Sequence, residues 1–379
     1  MPTCLASTTT SSDNAFPFVT STGEPNCFRL AALAADGTSI ITYNEDQRLR
    51  TFILPPTLLA PSTTTPLPLP VYTTSRPCKS YSFALYPHFS LPHPSTTLLL
   101  HSRFDTPIRL TNALDLSYSH ASYPLVNPTT EAYICPHSLA FTPDGSRFIA
   151  GAKESISVFD VSRDGQSPVR TLPTRPGRKA RKLYGTASVG MAGYVTALSI
   201  CAATDVLAAG STGAQIALYS QGGAGEEVAS FQLGEEEGNG VSQVTWDESG
   251  TWLFVAGRQA DCVAVYDVRM GRRVGLLVGR KAGTTARMGF EVVEAEGGCD
   301  VWAGGVDGCV RVWKGAERRE GRVEADVIME GSGDAVTWVK MHPGRDVYFT
   351  ASGLRREVGV DDEDRDDGVT DASLKAWAV

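Results

Sequence analysis

The sequence has no run of about 18 consecutive apolar residues, the length that a membrane-spanning helix requires. Its opening stretch, MPTCLASTTTSSDNAF, lacks the charged segment and the apolar segment that together form a secretory signal. Its eight cysteines are widely spaced and include no C-x-x-C pair, so the sequence indicates neither a zinc site nor a disulfide framework. These absences predict an intracellular protein that does not enter a membrane.

The sequence patterns of common enzymes are also missing. The six histidines show no H-x-x-H or H-E-x-x-H spacing, and there is neither a G-x-x-x-x-G-K-[ST] phosphate loop nor a G-x-S-x-G nucleophile turn. Four aspartates at turns or strand ends are expected to cap the backbone: Asp144, Asp160, Asp267 and Asp307. The sequence therefore predicts a non-enzyme, with no catalytic residue, no metal and no cofactor.

The composition favours an all-β protein. The chain has 379 residues, of which 42% are hydrophobic, and its 37 glycines and 22 prolines indicate many turns rather than long helices. The formal net charge of -8 argues against a protein that covers nucleic acid or an anionic membrane with its whole surface. A local basic surface stays compatible with this charge.

Residues 241–270 contain the clearest copy of a repeat. Three short apolar strands are separated by polar turns, and the third strand ends on Tyr266 and Asp267. An aromatic residue followed by aspartate is typical of the end of a WD repeat. Because one such sheet cannot bury both of its faces, the unit needs copies of itself as neighbours.

Similar units recur along the chain with a period of roughly 40 to 50 residues, which is typical of a propeller blade. They lie at residues 27–54, 81–112, 138–161, 195–219, 241–267, 286–313 and 336–379. The pattern predicts a single seven-bladed WD-repeat β-propeller over residues 16–379, preceded by a disordered segment over residues 1–15. Residues 55–70, with six prolines, are expected to form an exposed loop.

Candidates for a fourth, outer strand follow four of the units, at residues 169–172, 228–233, 274–278 and 323–329. The last unit has none, because the sequence given ends at Val379. Residues 16–20 are short and strand-like, so we expect them to complete the last blade and close the ring. Closure by an N-terminal strand would remove two exposed sheet edges.

Loops between second and third strands, and between one blade and the next, must leave a propeller on the same side. We call that side the basic rim, because many of the lysines and arginines fall in its loops. The candidate RNA-binding residues among them are Arg103, Arg175, Arg178, Lys179, Arg181, Lys182, Arg258, Arg280, Lys281, Arg355 and Arg356. Such a cluster suits phosphate neutralisation.

Other interpretations of these charges stay open. The loops could simply be solvated, and the basic loop at residues 174–190 could be a flexible segment or a nuclear localisation tract. Two acidic stretches also fall on the basic rim, at Glu235–Glu237 and in the insertion at residues 355–372. Acidic groups there would oppose the binding of phosphates.

Several segments resemble the telomerase Cajal body protein family, including its fungal members. They are HSRFDTPIRLTNA (101–113), PHSLAFTPDGSRFIAG (136–151), GRQADCVAVYDVR (257–269), TTARMGFEV (284–292) and TASG (350–353). The resemblance extends over residues 26–379. The chain differs from the family in having Tyr219-Ser220 and Trp313-Lys314 at repeat endings.

The resemblance implies a nuclear, non-catalytic, RNA-binding scaffold. Its partners would be a small nuclear RNA of the telomerase or Cajal-body type and proteins of ribonucleoprotein particles or of splicing, with the propeller itself a monomer. The role implied is the localisation or assembly of such particles, or pre-mRNA splicing. The alternative is a WD-repeat adaptor that binds only proteins and makes no direct RNA contact.

Overall fold

The structure, a computed structural model, describes residues 2–10, 20–21, 25–58, 65–175, 190–354 and 371–379. Seven mainly antiparallel sheets follow one another in this part of the chain, and the inner strands of neighbouring sheets contact each other or pack against a shared apolar cluster. The protein is therefore the seven-bladed, all-β propeller that the repeat pattern predicts.

The chain begins with β1 (Cys4–Ser7). The first blade contains β2 (Phe28–Leu33), β3 (Ser39–Asn44), β4 (Leu49–Ile53) and, after the short strand β5 (Leu67–Pro68), β6 (Val71–Thr74). The second contains β7 (Phe83–Leu85), β8 (Leu98–His101), β9 (Ile108–Asn112) and β10 (Asp115–Tyr123). The third contains β11 (Ser138–Phe141), β12 (Arg147–Ala152), β13 (Ser155–Asp160) and β14 (Arg170–Pro173).

The fourth blade contains β15 (Val195–Ile200), β16 (Leu207–Ser211), β17 (Gln215–Tyr219) and β18 (Glu227–Gln232), and the fifth contains β19 (Val241–Trp246), β20 (Trp252–Gly257), β21 (Cys262–Asp267) and β22 (Arg272–Val278). The sixth contains β23 (Phe290–Ala295), β24 (Gly298–Gly304), β25 (Cys309–Trp313) and, after β26 (Gly321–Val323), β27 (Val327–Glu330). The seventh contains β28 (Val336–Met341), β29 (Val347–Ser352) and β30 (Leu374–Ala378).

The described helices are short 3-10 turns at Thr8–Thr10, Gln221–Gly223, Glu235–Glu237 and Ala316–Arg318. None of the helices in the described ranges is long and apolar enough to cross a membrane.

The hydrophobic core lies between neighbouring blades. The second and third strands of the blades read as continuous apolar runs because both of their faces are covered, as in β20 and β21, where nearly every residue is buried. Phe254 of the fifth blade and Trp313 of the sixth belong to one such cluster and are completely buried. Each blade therefore depends on its neighbours for the burial of its faces.

An N-terminal strand closes the ring, but it is β1 and not residues 16–20. β1 pairs antiparallel with β30, with Ala6 opposite Ala376, and both alanines are completely buried. The space beside β30 therefore accepts small side chains. The sequence-based prediction instead chose residues 16–20, a strand-like segment with two phenylalanines. The prediction that residues 16–20 occupy this place is wrong, and residues 16–19 lie outside the described residues.

The predicted disorder of residues 1–15 is also wrong for Cys4–Ser7 and Thr8–Thr10, which form β1 and a 3-10 turn. The proline-rich segment contributes β5, which pairs parallel with β1 at the outer edge of the last blade, the only kind of sheet position that suits Pro68. Leu58 and Leu69 of the same segment are buried, so these parts of the predicted exposed loop are not exposed.

The predicted outer strand at residues 323–329 is divided between two blades. β26, which contains Val323, pairs parallel with β22 of the fifth blade, and β27 alone completes the sixth. Trp313 fixes this arrangement, because its indole nitrogen Nε1 donates to the carbonyl of Val323 at 3.1 Å from a completely buried position. A single continuous strand could not pair with both sheets.

Candidate nucleic-acid interface

The central channel opens on the basic rim into a cavity of about 740 Å³. Its wall consists of residues at the starts of the inner strands and in the loops between second and third strands, such as Arg29, Tyr81, His137, Arg258 and Arg287. Because all seven inner strands converge on the channel, residues that are far apart in sequence meet here. We call this cavity the channel mouth.

Three aromatic rings stack in a row at the channel mouth. The ring of Tyr81 lies 4.3 Å from the ring of His137 with an angle of 13° between their planes, and His137 lies 4.3 Å from Tyr194 at 32°. Each residue comes one or two positions before the inner strand of its blade, from the second blade to the fourth. Tyr194 is 40% exposed, so the row presents an accessible ring at its end.

Lysine extends the aromatic row away from the channel. The ammonium of Lys79 lies 5.6 Å from the centre of the Tyr81 ring and 5.4 Å from that of Phe104, which are cation–π distances. Phe104 is 57% exposed, although large aromatic rings are usually covered. Aromatic faces beside positive charges suit unpaired nucleotides, whose bases stack while their phosphates are neutralised.

Arginines occupy the other side of the channel mouth. Arg258 follows β20 of the fifth blade, and its Nη2 donates to the carbonyl of Thr285 at 3.2 Å. Arg287 precedes β23 of the sixth blade and donates to the carbonyl of Thr196. Arg29 of β2 forms an ion pair of 3.7 Å with Glu45. Within the ranges that the structure describes, Arg258 and Arg287 are thus anchored to backbone oxygens and form no ion pair with a carboxylate.

The positive charge at the channel mouth affects the pKa values of its residues. Burial lowers the pKa of His137, and the nearby charges of Arg287 and Arg258 lower it further, so the imidazole is neutral at pH 7. Burial lowers the pKa of Arg287 to about 10, and repulsion from Arg258 acts in the same direction. Arg287 nevertheless keeps its charge at neutral pH.

The other predicted cations that the structure describes lie outside the channel mouth. Arg103 donates from Nε to the Sγ atom of Cys78 at 2.8 Å. Arg175 forms an ion pair of 3.1 Å with Glu154. Lys281 lies 3.2 Å from a carboxylate oxygen of Asp307 and is 60% exposed. Asp307 also accepts from Arg311 at 2.7 Å, and these cations lower its pKa well below the usual range.

Arg280 is completely buried, which the sequence does not indicate. Its Nη2 donates to the carbonyl of Gly289 at 2.9 Å, and burial lowers its pKa to about 10. A side chain in this position links the fifth blade to the sixth and is not accessible to a phosphate. The remaining candidates, Arg178, Lys179, Arg181, Lys182, Arg355 and Arg356, lie outside the described residues.

The acidic residues Glu235–Glu237 oppose the basic rim less than the sequence suggests. Glu237 is buried, accepts from the hydroxyl of Tyr266 at 2.6 Å and pairs with Arg273 at 2.6 Å. Glu236 pairs with Arg273 at 2.9 Å and with Arg322 at 2.7 Å. Two of the three acids are therefore neutralised by cations on the outer side of the fifth blade.

Sequence reasoning missed the aromatic row and two of the arginines at the channel mouth. The spacing of the histidines gives His137 no role, and no sequence pattern singles out Arg29 or Arg287. A usable signal exists in the repeat alignment, since rings precede the inner strands of three consecutive units at Tyr81, His137 and Tyr194. Comparing equivalent positions between repeats would have revealed them.

The opposite end of the channel has a different character. Its cavity of about 460 Å³ is lined mainly by the inner strands and contains the ion pair of Lys340 with Glu291 at 2.6 Å. Arg29 and Arg287 line this cavity as well as the channel mouth. Among the residues that the structure describes, no group of histidine, cysteine, aspartate and glutamate side chains could hold a metal ion.

Comparison with known proteins finds relatives that match most of this chain. No protein-family model matches the chain. The chain is 30% identical to Guanine nucleotide-binding protein negative regulator 1 of Schizosaccharomyces pombe over 76% of this chain and 71% of that protein. It is 27% identical to Telomerase Cajal body protein 1 of Rattus norvegicus over 88% of this chain and 60% of that protein, and 26% identical to the Homo sapiens protein of that name over 88% and 58%. The chain therefore spans less than two thirds of these mammalian relatives.

Proposed function

This chain belongs to the telomerase Cajal body protein family, and we propose that it is a non-catalytic scaffold that binds a small RNA through its basic rim. The RNA would be a small nuclear RNA of the telomerase or Cajal-body type. The same particle would contain ribonucleoprotein or splicing proteins, and the protein would act in the nucleus as a monomeric propeller. Its role would be to assemble or localise the particle, or to support splicing.

The observation that supports this proposal best is the aromatic row close to Arg258 and Arg287, which form no ion pair with a carboxylate of the described residues. An unpaired base can stack on the exposed ring of Tyr194, which itself stacks on His137, while Arg258 and Arg287 line the same cavity as His137 and can neutralise phosphates. Single-stranded segments suit such a site, because their bases are not held in base pairs and can stack on aromatic side chains. The names of the mammalian relatives point to a ribonucleoprotein setting.

Exposed cations around the channel mouth would extend the interface. Arg103, Arg175 and Lys281 each have one local partner and still carry solvent-accessible donors. We include in the same interface the cations of the basic loop and of the acidic insertion: Arg178, Lys179, Arg181, Lys182, Arg355 and Arg356. Arg280 is left out because it is completely buried.

Crosslinking followed by sequencing of the bound RNA, in the cells that make this protein, tests the proposal. We expect enrichment of a few small nuclear RNAs, with crosslinks at unpaired nucleotides. A variant with Tyr194→Ala and Arg258→Gln should lose most of the signal, because it removes a stacking ring and a phosphate contact. No enriched small RNA in the wild-type protein would contradict the proposal.

A protein-only adaptor is the second candidate function. The name of the fission-yeast relative describes a regulator of a guanine nucleotide-binding protein, which is a protein partner. Exposed apolar side chains on outer strands, Tyr72, Val228 and Ile328, offer surfaces for such contacts. Purification of the protein from its own cells with and without ribonuclease separates the candidates, since an adaptor would keep its partners after RNA is digested.

A further inference from the structure

The channel mouth contains positive charge that no carboxylate of the described residues fully neutralises. Three arginines and one glutamate line it, and the glutamate pairs with Arg29. In the described part of the chain, no carboxylate forms an ion pair with Arg258 or Arg287. By contrast, the buried Arg50 and Arg311 elsewhere in the propeller each pair with an aspartate four residues earlier. Arg258 and Arg287 thus differ from these two arginines and resemble the buried Arg280, whose guanidinium also donates to a backbone carbonyl.

We propose that Arg258 and Arg287 form a binding site for a phosphate group within the channel mouth. This inference goes beyond the proposed RNA scaffold, because the site would accept a phosphate whether it belongs to RNA or to a free phosphorylated molecule. It rests on the two arginines and on the cavity of the channel mouth, and not on the exposed cations of the basic rim.

The two guanidinium groups are held in place before any ligand arrives. Arg258 donates to the carbonyl of Thr285, in the loop before the sixth blade, and Arg287 donates to the carbonyl of Thr196 in β15 of the fourth blade. A guanidinium has five N–H donors, so each retains donors that can face the cavity. Two guanidinium groups that are held in place and have free N–H donors can bind the several acceptor oxygens of a phosphate.

Electrostatic effects on neighbouring groups agree with this geometry. Burial lowers the pKa of Arg287, and the charge of Arg258 acts in the same direction, as expected for two cations that line one cavity. Both arginines also lower the pKa of His137, the middle ring of the aromatic row. A bound phosphate would reverse these effects, because its negative charge would offset that of the arginines.

The cavity sets the size of the ligand. Its volume of about 740 Å³ lies within the range of about 300–1,000 Å³ that is usual for small-ligand sites. Tyr81 and His137 of the aromatic row also line this cavity, so a phosphate on the arginines would share it with aromatic rings. The class of ligand is therefore a phosphate ester or pyrophosphate, with or without an attached base.

Inorganic pyrophosphate is the probe that tests this site. We would titrate it into the full chain at constant ionic strength, measuring heat and the pKa of His137 by NMR. The wild-type protein should bind one pyrophosphate with a rise in the pKa of His137. The variant with Arg258→Gln and Arg287→Gln should bind at least about tenfold more weakly, and Arg163→Gln, an exposed cation on the opposite rim, should bind as the wild type does.

Two further measurements keep the test decisive. If Arg287→Gln prevents folding, Arg258→Gln alone should still weaken pyrophosphate binding about tenfold, because Arg258 lies in a partly exposed loop. Competition with a short single-stranded RNA then identifies the source of the phosphate: displacement of pyrophosphate indicates an RNA phosphate, and simultaneous binding indicates a free phosphorylated ligand.

Either competition result supports the site. Absence of saturable pyrophosphate binding, or binding that the double variant leaves unchanged, overturns it. Pyrophosphate binding in a protein that binds no RNA would leave this site standing while rejecting the RNA scaffold, so the two proposals can fail separately.

Discussion

At the residue scale, His101 links the stability of the propeller to pH. This side chain is only 6% exposed, and burial, with smaller effects of Arg103 and Arg109, lowers its pKa from 6.5 to about 3. Between these two pH values the unfolded chain binds a proton that the folded protein excludes. The free energy of unfolding should therefore fall as the pH drops from 6.5, by up to about 1.4 kcal/mol per pH unit from this group.

Urea unfolding at a series of pH values between 4 and 7 measures this effect. His101→Gln should flatten the decline in stability, whatever its effect at pH 7, whereas His120→Gln, at an exposed position, should keep the wild-type decline. Equal pH dependence of the wild-type and His101→Gln proteins would show that His101 is not excluded from protonation.

Tyr194 carries the second prediction at this scale. Stacking of a base on an aromatic ring contributes about 1–3 kcal/mol, so Tyr194→Ala should weaken the binding of single-stranded RNA by about 5- to 150-fold. Tyr194→Phe should bind nearly normally because it keeps the ring. Tyr118→Ala, which removes a tyrosine of similar exposure from β10, is the control in the same filter-binding measurement. Equal losses at Tyr194 and Tyr118 would argue against stacking.

Single residues were the least predictable part of the molecule. The sequence placed Arg280 among the surface cations because its loop lies on the basic rim, yet its side chain turns inward and is completely buried. Loop position determines which rim a residue belongs to, but side-chain packing determines whether its charge reaches solvent. The sequence gives no reason to treat Arg258 and Arg280 differently. Only the structure shows that Arg258 lines the channel mouth while Arg280 is completely buried.

At the scale of elements, β1 holds the ring together. Ala6 packs in the cluster that joins the last blade to the first, with Phe28, Phe52 and Leu374. Ala6→Asp would place an unpaired carboxylate there and should lower the free energy of unfolding by about 3 kcal/mol or more. Thr3→Asp adds the same charge at an exposed position next to the same strand and should have little effect.

Thermal unfolding of the two variants, together with one that lacks residues 16–20, tests the assignment of the closing strand. Ala6→Asp should melt well below the other two. If loss of residues 16–20 lowered the melting temperature as much as Ala6→Asp does, the closing role of β1 would be contradicted.

Strands were predictable where the pattern is local and unpredictable where it depends on a distant partner. The turn and strand signals of the fifth unit placed β19, β20 and β21 close to their actual bounds. The pairing of β1 with β30 and of β26 with β22 joins segments whose sequence does not identify the partner. Fit against an already formed sheet edge decides such pairings, and Ala6 opposite Ala376 is an example.

At the scale of the whole molecule, the seven inner strands bring rings from the second to fourth blades and arginines from the first, fifth and sixth blades to one channel mouth. The period of the repeats was enough to predict this architecture and the side on which the loops emerge. The meeting of opposite blades across the channel could not be predicted in the same way, because it depends on the closed ring. A net charge of -8 is therefore compatible with a local basic surface.

Salt-dependent binding of a small nuclear RNA is the most direct test of the proposed scaffold. For a single strand, log K should fall with log[salt] by about 0.7 for each phosphate that a cation neutralises. Replacing Arg103, Arg175, Arg258 and Lys281 by glutamine should reduce that slope by about 3. Replacing four cations of the opposite rim, Arg163, Arg269, Lys314 and Arg345, should leave it unchanged. Equal slopes for the wild type and the basic-rim variant would contradict RNA binding through this surface.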